Sequence, residues 1–240
     1  MSRPTVSYIL AVYNGRRYLA EALGSILGQS SPVDEVIVVD DGSTDDSAQI
    51  AERFGSPVRC IVQQNAGQSA ARNHGVRASR GDVIAFLDCD DLIHRTKIER
   101  QLQRFAAAPE LMFIDAYTQN FWSPEIPENE RRLTGWQTLT HSDEPWPQSI
   151  ITWLLRRQVW ECVGGFDENR RFAEDSDWHD RVRFSGMPAE TMPAVLAKRR
   201  LHHANLTRNN YDGHIDGLHR FYKEKMARLR AQRNVGRFEP

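Results

Sequence analysis

Four short apolar runs, each separated from the next by a helical repeat, constrain this chain more than any other feature. They are Val6 to Val12, Val36 to Val39, Val58 to Val62 and Val83 to Leu87. Between them, Arg16 to Leu27 places Leu19, Leu23, Ile26 and Leu27 at a helical period. Ser43 offers an N-cap to a second helix, with Asp45 and Asp46 in its first turn and Ile50, Ala51 and Phe54 on one face. Ser69 to Ala78 reads as a third helix. Runs that are apolar on both faces need cover on both faces, and strand alternating with helix points the same way. The N-terminal half is therefore expected to be α/β, with an open, mostly parallel sheet flanked by helices.

The pattern loosens after Leu111. Residues 119 to 149 hold Pro124, Pro127, Pro145 and Pro147 with Trp122, Trp136 and Trp146, which reads as loops or a short hairpin over a site. Ile150 to Leu155 is expected to be a strand and Glu174 to Phe184 a helix. Leu218 to Arg233 reads as an amphipathic helix with Leu218, Phe221, Tyr222, Met226 and Leu229 on one side.

Bulk composition excludes several classes. With 31 basic and 32 acidic side chains in 240 residues, no whole-protein field selects nucleic acid or membrane. Cys60, Cys89 and Cys162 form no CxxC pair, which fits reduced thiols better than a disulfide framework. The N-terminus lacks the apolar core of a signal peptide, and no apolar run is long enough to span a bilayer. A cytoplasmic protein is the simplest expectation, and the sequon Asn205-Leu206-Thr207 is then idle. The oligomeric state is not readable.

Ligands of open parallel sheets bind beyond the carboxyl ends of the strands, near where strand order reverses. Two strands here end in acids: Asp40-Asp41 after the second, and Asp88-Cys89-Asp90-Asp91 after the fourth. Three carboxylates within four residues repel one another and ask for a cation or solvent. All-oxygen ligation suits Mg²⁺ or Mn²⁺, and those ions suit a phosphate-bearing substrate. A solvated acidic turn is the plainer alternative. Motifs GxGxxG, GxxxxGK[ST], GxSxG and HExxH are all missing, which removes the usual support for a dehydrogenase, a P-loop enzyme, an α/β-hydrolase and a zinc peptidase.

Several segments, in order, resemble the family 2 inverting glycosyltransferases of GT-A fold. They are Val12-Tyr13-Asn14, Ile37 to Asp45, Asn65-Ala66-Gly67, Ala71-Arg72-Asn73-His74-Gly75, Gly81 to Asp91, and Gly164-Gly165-Phe166-Asp167-Glu168 leading to Glu174-Asp175. The resemblance runs from about Thr5 to Thr207. It implies a Rossmann-like, mostly parallel sheet with a smaller C-terminal acceptor-side region. The glycosyltransferase domain would be residues 1–210, with a nucleotide-binding half at 1–110 and an acceptor and base half at 111–210. A basic amphipathic helix at 211–240 follows.

The resemblance further implies a nucleotide-sugar donor, a UDP-sugar in the commonest case with thymidine and guanosine open, and a Mn²⁺ or Mg²⁺ ion. Tyr13 and Asp41, with Asp40 nearby, would line the base pocket. Asp88 would face the ribose, Asp90 would bind the metal, and Arg72 would help hold the nucleotide. Asp175 would be the general base, with Asp177 a competitor. His202, in Arg200-Leu201-His202-His203-Ala204-Asn205, would be a second metal ligand, with His203 its rival. A saccharide, a lipid carrier or a peptide would be the acceptor.

The family's usual proline near Tyr13 is replaced by Ala11-Val12. Trp136, Trp146 and Trp178 are candidates to stack on acceptor sugars, while Trp153 and Trp160 sit in apolar company and read as core. The C-terminal helix carries Arg220, Lys223, Lys225, Arg228, Arg230 and Arg233 against one acid, Glu224. A solvated face or subunit contact competes there with peripheral contact to anionic lipid. Two further readings stand beside the transferase: a nucleotidyltransferase, which would use Asn14-Gly15-Arg16-Arg17 as a phosphate loop, and a non-catalytic binding protein of the same fold.

Overall fold

The computed structural model describes residues 3–131, 145–147, 149–205 and 210–235. Trp136 lies outside the described residues, as do residues 132–144 and 148 of the proline-rich stretch. Eight strands form one sheet in the order β3-β2-β1-β4-β7-β6-β8-β5. The strands are β1 (Val6–Val12), β2 (Glu35–Asp40), β3 (Val58–Val62), β4 (Val83–Phe86), β5 (Leu92–Ile93), β6 (Phe113–Trp122), β7 (Leu154–Arg156) and β8 (Ala189–Leu201). The first four pair in parallel, as do β6 and β8, while β7 runs antiparallel between β4 and β6.

Helices α1 (Leu19–Leu27), α2 (Ser47–Glu52), α3 (Gln68–Ala78) and α4 (Lys97–Ala107) accompany the first strands. Helices α5 (Arg157–Val163), α6 (Glu174–Phe184) and α7 (Tyr211–Val235) follow in the second half. The residues of β1, β2 and β4 are almost all fully buried, so the double-sided apolar reading holds there. Only β3, at the sheet edge, exposes a large apolar side chain, Val62. The chain leaves β1 for β2 and β3 on one side, then crosses back to β4 on the other. The strand order therefore reverses between β1 and β4, at the ends that carry Tyr13 and Asp88.

Several expectations need correcting. Ser43 does not cap α2, which begins four residues later at Ser47. Its hydroxyl is instead engaged by the backbone N–H of Asn14 at 2.9 Å. Leu27 is exposed at the end of α1. The segment after Leu111, expected to be irregular, opens with the ten-residue strand β6. Ile150 to Leu155 is not one strand: a 3-10 turn covers Ile150–Thr152, held by Thr152 donating to the Ser149 carbonyl at 2.7 Å, before β7 begins. Trp146 forms an isolated antiparallel bridge with Thr118, a remnant of the expected hairpin. Strand β8 pairs along β6 with register shifts on either side of Tyr117, so that ten residues of β6 face thirteen of β8.

On α7, Leu218 and Phe221 are buried, but Tyr222, Met226 and Leu229 face solvent. The expected single apolar face is thus split. Among the described residues no helix is long and apolar enough to cross a membrane.

Candidate active site

The turn after β1 carries Asn14 in a left-handed conformation, φ 52°. Asn14 suits that region better than most residues because its short amide can bond locally. Its Oδ1 accepts from the Thr44 N–H at 2.8 Å, tying the end of β1 to the turn after β2. The neighbouring Gly15 and Arg16 N–H groups donate to Ser47 Oγ and Asp45 Oδ2. These amides are already engaged, which counts against a phosphate loop at Asn14 to Arg17. Beside this turn Tyr13 is 54 % exposed.

Asp40 and Asp41 are both buried. Asp40 Oδ1 accepts from the Ser43 N–H at 2.7 Å and shapes the turn from within. Asp41 reaches across to the loop before α3, where Gln63, the Ala66 N–H and the Gly67 N–H all donate to its carboxylate at 2.8–2.9 Å. Asp40 is therefore a turn residue, while Asp41 holds the Asn65-Ala66-Gly67 loop against the turn below Tyr13.

The acids after β4 relieve their repulsion in three different ways. Asp88 accepts from Arg72 Nη2 at 2.7 Å and from Gln68 at 3.3 Å. Asp91 turns inward and accepts the Arg200 N–H at 2.8 Å; burial, followed by Asp90 and Asp88, pushes its carboxyl well above the usual range. Asp90 faces His202, with Nε2 to Oδ2 at 2.9 Å. Only Asp88 and Asp90 keep part of their side chains open, at 29 % and 26 %. The expected trio of cation-facing acids is therefore a pair.

His202 is buried, its ring 4.7 Å from that of Tyr18. Its Nδ1 lies 3.2 Å from the Ala204 backbone nitrogen, which turns Nε2 towards Asp90. His203 is 60 % exposed and lies 3.7 Å from Glu130, away from the acids. Arg200 buttresses this corner: it donates to the Asp90 carbonyl at 2.8 Å and lies 4.6 Å from the ring centroids of both Tyr18 and Phe121. Asn205, the sequon asparagine, is buried and bonds His202 and Arg200.

Arg72 is buried, and its other nitrogen donates to Glu174 at 2.9 Å. Burial raises the Glu174 carboxyl to about 7, with Asp175 adding and Arg72 opposing. Asp175 follows at the start of α6, where its Oδ1 accepts from the Ser176 N–H at 2.7 Å. Its Oδ2 has no hydrogen bond among the described residues. Asp177 is buried within an arginine cluster: Arg228 at 2.8 Å, Arg181 at 3.0 Å and Arg170 at 3.9 Å. An acid so enclosed cannot receive a substrate proton, so Asp175 is the accessible one of the two.

Trp178 is fully buried, donates to the Gly164 carbonyl at 2.8 Å and stacks 5.2 Å from Trp153. It is core, and the expectation that it meets acceptor sugars is wrong. Trp153 is core as expected, and Trp160 packs against the same cluster. Sequence reasoning gave no role to Glu174, Gln68, Arg200 or Tyr18. The Glu-Asp and Arg-x-His patterns contained two of them, but their roles depend on partners far along the chain.

No group of three metal-binding side chains occurs among the described residues. Asp90 and His202 nevertheless suit a shared ion. Adjacent ligands of a divalent ion about 2.1 Å away lie about 3 Å apart, which is close to their separation. Oxygen and imidazole donors match Mn²⁺, and substrate phosphate completes such a shell.

The mixed α/β sheet whose strand order reverses beside Asp88 and Asp90 has the architecture of the GT-A glycosyltransferase fold. The chain belongs to glycosyl transferase family 2, whose profile matches residues 7–164. It is 30 % identical over 218 residues to an uncharacterized glycosyltransferase of Rickettsia typhi, covering 85 % of this chain and 66 % of the relative. It is 34 % identical over 193 residues to the uncharacterized glycosyltransferase EpsJ of Bacillus subtilis, covering 73 % and 55 %. The chain thus spans about two thirds or less of the length of these relatives.

Two solved structures share the fold. Staphylococcus aureus TarS in complex with UDP-GlcNAc aligns with a TM-score of 0.64 at 20 % identity, over 84 % of this chain and 60 % of that one. The Pyrobaculum calidifontis mannosyltransferase PcManGT, in complex with GDP-Man and Mn²⁺, aligns with a TM-score of 0.61 at 22 % identity, over 85 % and 59 %.

Proposed function

We propose that this chain transfers a sugar from a nucleotide diphosphate, with UDP the first candidate, to an acceptor hydroxyl with inversion at the anomeric carbon. One observation carries the reading. Arg72 bonds Asp88 and Glu174 at once, and so joins the acids after β4 to the residue next to Asp175. Donor-side and base-side groups are thereby held one arginine apart.

Tyr13 offers its exposed ring to the base, while Asp41 holds the loop that closes the pocket. Asp88 is positioned by Arg72 and Gln68 to meet the ribose. Arg72 is buried and turns two of its nitrogens to the carboxylates of Asp88 and Glu174, so it serves the nucleotide through Asp88 and not by direct contact. Asp90 and His202 would hold Mn²⁺ or Mg²⁺, which when bound supplies positive charge for the departing diphosphate. Asp175 Oδ2 takes the proton of the acceptor hydroxyl as that oxygen attacks the face opposite the leaving group. In that single displacement the bond from the anomeric carbon to the diphosphate oxygen breaks as the new one forms, through an oxocarbenium-like transition state.

The acceptor is proposed to be a saccharide, a lipid carrier or a peptide. Exposed Tyr222, Met226 and Leu229, beside Arg220, Lys223 and Arg230, support peripheral contact with an anionic surface, which would favour the lipid carrier. A cytoplasmic location is part of the same proposal.

Calorimetric binding of UDP, dTDP and GDP, with and without Mn²⁺, tests the donor reading. Binding of one nucleotide only with metal, and its loss in Asp90→Ala, is the expected result. A folded protein that binds none of the three overturns it and leaves a non-catalytic member of the family.

A further inference from the structure

Helix α7 packs on the one segment that carries Asp175. Gly213 and Gly217, one turn apart, let it approach Phe172: a Cβ on Gly217 would lie 2.6 Å from Phe172 Cβ, and one on Gly213 2.9 Å from Phe172 Cε2. Leu218 and Phe221 close over Ala173. Further along, Glu224 accepts from Arg170, Lys225 donates to Asp180 at 2.9 Å, and Arg228 donates to Asp177 at 2.8 Å. Among the described residues these contacts of α7 fall on residues 170, 172, 173, 177 and 180, and no hydrogen bond or ion pair joins α7 to Asp175.

Ala173 is the residue that most needs such support. It sits in the left-handed region, φ 58° and ψ 26°, immediately before α6. An alanine there is strained and persists only where its surroundings enforce it. The turn it makes sets the direction in which α6 begins, and hence where Asp175 points. The Asp177 N–H closes the same turn by donating to the Ala173 carbonyl at 3.0 Å.

We propose that α7 is a positioning element for the transfer step: Arg228, through Asp177, and the Gly217 face, through Phe172 and Ala173, hold the left-handed turn that aims Asp175. The proposal rests on Asp175 being the base. It separates two properties of one protein. Donor and metal groups come from β1, β2, β4, α3 and the end of β8, which α7 reaches among the described residues at second hand, through Arg170 on Ser69 and Glu174 on Arg72. Loosening α7 should therefore slow transfer far more than it weakens nucleotide affinity.

The test uses the full chain and two independent variants, Arg228→Ala and Gly217→Ala, with Arg228→Lys as the rescue. Turnover is read as nucleotide released from UDP-GlcNAc, UDP-glucose and GDP-mannose with Mn²⁺, water serving as acceptor. Nucleotide affinity is read by calorimetry on the same samples. The expected result is a fall of about ten- to hundredfold in kcat, the usual scale for a small misplacement. Nucleotide Kd should stay within twofold, and Arg228→Lys should recover most of the rate.

Unchanged kcat in both variants, or equal losses in rate and nucleotide affinity, overturns the proposal. Asp175→Asn, run alongside, separates the two levels. If it keeps the wild-type rate, the base assignment has failed, and a rate loss in the α7 variants then has another origin. If wild type releases nucleotide from no donor, the transferase reading falls and takes this proposal with it.

Discussion

His202 Nε2 lies 2.9 Å from Asp90 Oδ2, although 112 residues separate them in the chain. The end of β8 delivers the imidazole to the acid that follows β4, and His203 points elsewhere. His202→Ala is therefore expected to weaken Mn²⁺ binding in the presence of UDP or GDP by at least about tenfold, a loss on the scale of an altered metal shell. His203→Ala should leave it unchanged. Electron paramagnetic resonance of free Mn²⁺ decides between the two histidines, and equal effects would remove His202 from the site.

Asp175 and Asp177 should fail in different ways. Asp175→Asn is expected to lower nucleotide release by about 10²- to 10⁴-fold with an unchanged unfolding midpoint, because it removes only a proton acceptor. Asp177→Asn strips a buried charge from Arg170, Arg181 and Arg228, and should cost about 3–5 kcal/mol of stability. Denaturant unfolding beside a rate measurement gives both numbers. A stable Asp177→Asn protein with a large rate loss would reverse the assignment.

Trp178 fills the centre of an aromatic stack with Trp153, Trp160 and Phe166. Trp178→Ala should destabilise the fold by about 3–5 kcal/mol through cavity formation. Urea unfolding measures this directly, and a cost below about 1 kcal/mol would place the ring outside a packed core.

Lys97 is fully buried, with the Trp153 carbonyl at 3.1 Å as its hydrogen-bond acceptor and the Tyr8 ring 5.4 Å away. Burial pushes its ammonium down from 10.5 to about 7. Below pH 7 the charge is present in both folded and unfolded chains, and the full burial cost applies. Between 7 and 10.5 only the unfolded chain keeps its proton, so stability rises by about 1.4 kcal/mol per pH unit. Lys97→Met should accordingly be more stable than wild type at pH 7, with the gap closing towards pH 10. Urea midpoints at pH 7 and 9.5 check this, and a gap that ignores pH would show that the lysine stays charged.

The parallel half of the sheet was legible because β1, β2 and β4 are apolar on both faces and polar residues within the parallel strands are few, Ser7 and Arg59 among them. β6 was not, because Asp115 and Thr118 are buried and break the alternation; Asp115 faces His179, 3.3 Å away. The acids after β4 were found as a group, but their division of labour was invisible. Asp91 differs from its neighbours through the backbone of Arg200, 109 residues distant. The basic residues of α7 read as a solvated stripe because Lys225 and Arg228 find acids only when α7 meets α6. Trp178 misled for a related reason: one helical turn from an acid looks like a site until the rest of the core surrounds it.

The surplus in β8 has a consequence for His202. Ten residues of β6 are paired against thirteen of β8, and Pro193, which cannot donate to a ladder, sits where the first excess accumulates. The distance from the base of the sheet to the histidine is thus set by stored chain as well as by pairing. A bulge of this kind acts as a vernier: taking up or releasing one residue moves everything beyond it by about 3.3 Å and turns it to the opposite face. Gain or loss of a single residue between Met192 and Ala197 would leave both ends of the strand paired and still carry the imidazole away from Asp90.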